Sequence, residues 1–187
     1  MKKRVSALFC ALMAFFCFAR PAMAALPYLS ASAGLGMLGD SGVGSVVSRS
    51  YDTGTLLIGA FGIDNGPVRL EAEAGYRKNG VTNSPASITM KSYMANGYLD
   101  LGLPFSPLKP FVLAGGGVAT VDEHNSGLLS GDTVLAWQIG AGAAYSLAPA
   151  VTLDVQYRYF DASTPQLAGY RYSMGSHNIL LGLRFGL

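Results

Sequence analysis

The sequence predicts an all-β chain, closed as an eight-stranded antiparallel up-and-down transmembrane β-barrel. Three observations carry that expectation. About eight segments alternate apolar and polar residues with a period of two, which is the strand signature. The links between them alternate between short, proline-bearing turns and longer Ser/Gly/Asp/Asn-rich stretches, the pattern of barrels with short inner turns and longer outer loops. The chain also opens with an export signal.

That signal comes first in order. Lys2, Lys3 and Arg4 precede an apolar run from Val5 to Ala19, followed by Arg20-Pro21 and by Ala22-Met23-Ala24. A basic start, a short apolar stretch and a small-x-small end form a secretory signal peptide over 1–24, with cleavage expected after Ala24 and a barrel domain over 25–187. The run is too short for a comfortable transmembrane helix. Both cysteines, Cys10 and Cys17, lie inside it, so the mature chain forms no disulfide or thiolate metal site. Four of the 13 basic residues leave with the signal, so nine face 11 acidic ones, a formal charge of −2. Nothing electrostatic then favours nucleic acid. Charged residues make up only 13% of the sequence, against the usual quarter.

The first strand is expected near 27 to 37, with Leu29, Ala31, Ala33, Leu35 and Met37 on one face and Ser30, Ser32, Gly34 and Gly36 on the other. The second (54 to 63) and third (68 to 77) flank Asp64-Asn65-Gly66-Pro67, where Asn-Gly signals a type I′ hairpin. An Asn65-Gly66 loop would place Ile63 opposite Val68, Gly62 opposite Arg69 and Ala60 opposite Glu71, with Ile58 awkwardly facing Glu73. Small residues then lie across from long charged ones, as an enclosed space requires. Further strands are expected at 90 to 101, 110 to 119, 134 to 145, 151 to 160 and 176 to 187. The fifth, "PFVLAGGGVA", is apolar throughout and leaves its facing open. Longer links are expected at 38 to 53, 78 to 89, 120 to 133 and 161 to 175.

In a soluble sandwich the apolar face of such strands would be the core; in a membrane barrel it meets lipid and the charges turn inward. The second arrangement makes Arg69, Glu71, Glu73, Arg77, Asp100, Asp154, Gln156, Arg158 and Arg184 an interior polar network. In so narrow an interior opposite charges are expected to pair and block a continuous pore, with Glu71 serving an arginine. Tyr76, Trp137, Tyr145, Tyr157, Tyr159 and Phe185 are placed as membrane-interface aromatics, and His177 as an interfacial residue on the lipid-facing phase.

Other motifs carry little chemistry. "GLGMLG" (34 to 39) matches a dinucleotide fingerprint but no helix follows it, and "GDSG" (39 to 42) has its serine before both histidines, unlike the serine proteases it evokes. His124 and Ser126 in "DEHNSG" form a weak candidate for a hydrolase or cation site on a stretch that reads as a solvated loop. No catalytic, metal or cofactor residues are assigned, and no cofactor is expected.

"ANGYLDL" (95 to 101), "KPFVLAGGGVA" (109 to 119), "WQIGAGAAYSLAP" (137 to 149), "VTLDVQYRYFD" (151 to 161) and the ending "HNILLGLRFGL" resemble the strands of small bacterial outer membrane barrels. The group is that of the opacity proteins, OmpX/Ail and the OmpA membrane domain, and the resemblance spans 27 to 187. It implies a monomer in the bacterial outer membrane, exported through the periplasm and in contact with outer membrane lipid and lipopolysaccharide. It further implies that the barrel-assembly machinery reads the last strand, which carries Phe185. The function it implies is envelope-structural or adhesin-like, carried by four surface loops that meet an extracellular ligand or host surface. A narrow porin-like passage for small solutes and a lipid A-modifying enzyme remain as alternatives.

Overall fold

The computed structural model describes residues 25–38, 41–43, 47–49, 53–80, 87–103, 106–125, 128–163, 166–167, 170–171 and 175–187. The signal segment and Ser126 lie outside the described residues.

Twelve strands follow in chain order: β1 (Leu26–Leu38), β2 (Ser41–Val43), β3 (Val47–Arg49), β4 (Gly54–Asn65), β5 (Val68–Gly80), β6 (Ser87–Asp100), β7 (Leu108–Asn125), β8 (Leu128–Ala148), β9 (Val151–Ala162), β10 (Gln166–Leu167), β11 (Tyr170–Arg171) and β12 (Ser176–Gly186). Eight of them close a barrel in the order β1-β12-β9-β8-β7-β6-β5-β4, every neighbour antiparallel. The pairs β2–β3 and β10–β11 are small separate ribbons in the longer links. Closure leaves the wall without a free edge, which is what a sheet in lipid needs.

The registers fix the barrel's shape. Tyr28 leads through Gly62, Glu71, Asn96, Gly115, Gln138, Phe160 and Ser176 back to β1 at Leu38, a stagger of ten residues in one circuit. Eight strands so staggered tilt by about 40° and enclose only enough space for side chains.

The β4–β5 turn differs from the expected one. Its two turn residues are Gly66 and Pro67, Asn65 pairs with Val68, and Gly66 alone takes a positive φ of 76°. The reason is chemical. A turn centred on Asn65-Gly66 would need the Pro67 N–H to close it, and proline has none. Moving the turn by one residue makes Val68 the donor, while the Gly66 N–H donates to Asp64 Oδ1 at 2.9 Å. The register shifts by two residues, so every side chain keeps its face. Gly62 now stands opposite Glu71, Ala60 opposite Glu73 and Ile58 opposite Gly75, which removes the awkward pair.

The strands also run further than the alternation indicates at the long-link end. β5 reaches Gly80, β6 begins at Ser87, and β7 and β8 pair as far as Asn125 with Leu128. Residues 120–125 and 128–133 are therefore a hairpin, not a long loop, because polar residues pair as readily as apolar ones once the strands leave the apolar zone. His124 sits on β7, paired with Ser87 and Leu129.

β7 resolves its facing with Phe111, Leu113, Ala119 and Val121 inward and Val112 and Val118 outward. Leu35, Leu57, Leu70, Ile139, Val155, Ile179 and Leu181 all point out and are exposed. The inside mixes charged groups with apolar clusters: Tyr98, Phe111, Leu113 and Ala144 pack together in the short-turn half, and two further clusters lie toward the long-link end. There Met90, Met94, Val121 and Phe160 form one cluster, and Leu56, Ile58 and Leu180 another. The alternation alone put Ile58 and Leu180 on the charged face without saying that they gather into a core of their own.

Candidate functional site: the barrel interior

The inward phase of each strand decides which side chains meet. Of the nine predicted interior residues, Arg69, Glu71, Glu73, Arg77, Asp154, Gln156, Arg158 and Arg184 are buried, and Asp100 is half-buried at the short-turn mouth. They fall into three groups, the first two joined where Arg69 and Arg184 stack on the Tyr98 and Tyr28 rings.

At the short-turn end, Arg69 donates twice to Asp100, from Nε to Oδ2 at 2.7 Å and from Nη2 to Oδ1 at 2.8 Å. The fork lies over the Tyr98 ring at 4.3 Å and the Phe111 ring at 5.1 Å, so the planar cation is stacked as well as paired. Arg184 donates to Asp154 at 3.3 Å and approaches Asp64 at 3.9 Å, with its guanidinium over Tyr28.

The middle layer holds two carboxylates joined by a tyrosine. Arg158 Nη1 donates to Glu73 Oε2 at 2.5 Å, its Nε to Gln156 at 3.1 Å and its Nη2 to the Tyr98 hydroxyl at 3.0 Å. Asn96 and Gln138 also donate to Glu73, and Gln138 to Asn96. The Tyr98 hydroxyl in turn donates to Glu71 at 2.9 Å, and Tyr28 does so at 3.0 Å. Glu71 is thus held by hydroxyl groups, Ser30 included, rather than by the expected arginine. The reason is reach: Tyr28 and Tyr98 extend across the lumen to it, while the nearest arginine of this layer is committed to Glu73.

Arg77 forms the third group. It donates to Ser176 Oγ at 2.5 Å and Asn178 Oδ1 at 2.9 Å and lies 5.1 Å over Phe160. Its partners are neutral and its Nε has none. Register explains this: the row Leu180–Gly34–Leu56–Arg77–Met90–Val121 places it level with apolar side chains, with Glu73 two inward rows below and outside hydrogen-bond reach.

Tyr28, Asn96, Tyr98, Gln138, Ser176 and Asn178 are interior residues that a search for charges passes over. Their signal was available in the phase of their strands. A side chain at Gly62 would strike the Tyr28 ring, so a small residue there makes room for the hydroxyl that holds Glu71.

On the outer surface, Tyr76, Trp137, Tyr145, Tyr157 and Phe185 are exposed and Tyr159 is half-buried. Tyr145 and Phe185 lie toward the short-turn end. Trp137, Tyr157 and Tyr159 gather near His177, whose Nδ1 lies 2.6 Å from the Tyr157 hydroxyl. Among the described residues no cluster of three or more His, Cys, Asp or Glu could hold a metal ion.

Comparison with known proteins places these features. Residues 8–185 match the family described as "Outer membrane protein beta-barrel domain". No curated protein matches in sequence. Among solved structures, Neisserial surface protein A (NspA) is similar with a TM-score of 0.69 at 20% identity, over 86% of this chain and 97% of that one. The N-terminal β-barrel domain of Pseudomonas aeruginosa OprF gives 0.53 at 16%, over 87% and 99%. E. coli outer membrane protein W gives 0.51 at 15%, over 88% and 98%. At these identities the likeness is one of fold.

Proposed function

We propose, for a chain that belongs to the outer membrane protein beta-barrel domain family, a barrel closed by its own side chains whose work is done by the links at its outer end. The long-link end faces the cell exterior and the short-turn end the periplasm, following the loop-length rule for such barrels. The role is envelope-structural or surface-interactive, with the ligand met by the four outer links and no reaction carried inside.

The observation that supports a closed interior is the middle layer. Glu73, Arg158, Tyr98, Glu71 and Tyr28 form a chain of hydrogen bonds across the lumen, each residue buried. A solute on the barrel axis would have to break it and strand charges in a low-dielectric space. The test has two parts. In planar bilayers, the purified barrel is expected to show no unitary conductance above baseline, and steady ohmic steps would replace this reading by the narrow-passage one. In whole cells, cysteines placed in the longer links are expected to react with a membrane-impermeant maleimide while cysteines in the 66–67 and 149–150 turns do not. The reverse labelling would overturn the orientation.

A further inference from the structure

The barrel is closed across its axis but not filled to its short-turn mouth. A basin of about 510 Å³ opens there, lined by Tyr28, Asp64, Lys109, Ser146, Thr152 and Arg184 among others. That size lies within the roughly 300–1,000 Å³ of small-molecule sites. At the basin and just above it, Arg69, Lys109 and Arg184 face Asp64, Asp100 and Asp154, so the mouth is neutral as a whole. Arg69 is committed to Asp100 and Arg184 to Asp154.

Lys109 and Asp64 are left over. Lys109 is exposed on the inward phase of β7, and among the described residues it has no ion-pair partner. Asp64 accepts the Gly66 N–H through Oδ1, while its nearest cation, Arg184 Nη1, is 3.9 Å from Oδ2 and beyond hydrogen-bond length. β5 and β6 stand between β4, which carries Asp64, and β7, so the two charges face each other across the mouth. On the Lys109 side β8 and β9 add hydroxyls. Ser146 pairs with Thr152, both line the basin, and neither hydroxyl is engaged among the described residues. The register shifts between Ser146 and Ala148, and a bulge at a barrel rim re-aims the side chains beside it.

The geometry points to a binding site for a short peptide with both termini free, its carboxylate on Lys109, Ser146 and Thr152 and its ammonium on Asp64. A neutral mouth with one spare charge on each side is complementary to a molecule that is neutral as a whole and charged at its two ends. An α-amino acid carries both charges on one carbon and spans less of the basin. The site lies at the opposite end from the outer links and goes beyond the function proposed above. Only its opening to the periplasm rests on that reading.

The test uses the full mature barrel in phosphatidylcholine nanodiscs, where both mouths meet water, so its outcome does not depend on the membrane orientation. The amides of Gly66, Gly102 and Gly186, which line the basin, are followed by NMR against those of Gly34 and Gly117 in the wall. Alanyl-alanine is titrated in, then its N-acetyl and C-amide forms, then alanine. Alanyl-alanine is expected to shift the basin amides saturably and to leave the wall amides in place. Capping either end is expected to weaken binding about ten-fold or more, the cost of one hydrogen-bonded charge. Lys109→Gln is expected to cost as much and to remove the penalty of amidation. Asp64→Asn, which keeps the acceptor for the Gly66 N–H, is expected to do the same for acetylation. Gly102→Phe fills the basin from a position where an added Cβ meets nothing within 4 Å, and is expected to abolish binding with the wall amides unmoved. No saturable shift, capped forms or alanine bound as tightly as alanyl-alanine, or binding that survives Gly102→Phe would overturn the assignment.

Discussion

Glu73 and Arg158 provide the sharpest energetic test. Both side chains are almost fully buried, and their N–O contact is 2.5 Å. Arg158→Met leaves the Glu73 carboxylate with only the amide donors of Asn96 and Gln138, and Glu73→Gln leaves the guanidinium with Gln156 and Tyr98. Stranding one member of a buried pair costs about 3–5 kcal/mol, whereas removing both charges leaves neutral groups of similar volume and costs far less. The double variant is therefore expected to be more stable than either single one, with a coupling energy of about 3 kcal/mol or more between the two sites. Equilibrium urea unfolding from phosphatidylcholine vesicles, followed by Trp137 emission and the heat-modifiable gel shift, measures all four proteins. Single changes that add to within about 0.5 kcal/mol would refute the reasoning, because they would mean that water already solvates the pair.

Three further outcomes follow from the same interior. Arg77→Met should cost about 1–2 kcal/mol by the same unfolding assay, less than the Arg158 change, since it takes a donor from the neutral Asn178 and Ser176 rather than a counter-ion from a hydrogen-bonded carboxylate; a loss equal to that of Arg158→Met would contradict that ranking. Glu71→Ala should cost about 1–3 kcal/mol, less than the Arg158 change, because it removes hydrogen bonds from Tyr28 and Tyr98 rather than an arginine's counter-ion; equality of the two in urea midpoint would contradict that ranking. Gly62→Val should fail to give the compact band on an unheated gel, its Cβ colliding with the Tyr28 ring, while Gly59→Val, with open space outside, should fold as the parent does.

Alternation was enough to place the eight barrel strands and nearly all inward charges, because a period of two assigns faces even when ends are uncertain. The β4–β5 turn shows how forgiving this is: the register moved by two residues, and Glu71 and Glu73 kept their face. Chemistry that does not repeat was harder to read. Residues 120–125 and 128–133 set Val121, Leu128 and Leu129 among polar residues without a period of two, so no alternation announces a strand there. β7 is apolar on both faces, so its phase waited on the neighbours that pair with it. The partners of Glu71 and Arg77 depend on which rows lie level after the barrel's stagger, and that follows from all eight registers together rather than from any one strand. Tyr28 and Tyr98 were legible as inward residues by phase, but the bond each makes required the distance across the lumen.

The central claim is that the face carrying Leu57, Leu70, Ile139, Leu181 and Trp137 meets lipid while the charged face is enclosed. Trp137 tests it without any substitution, as the only tryptophan of the chain and a side chain on that face. In vesicles its emission is expected to be strongly quenched by phosphatidylcholine brominated on its acyl chains and little affected by aqueous iodide. Strong quenching by iodide with none by the brominated lipid would contradict the account, and would place the apolar face in water.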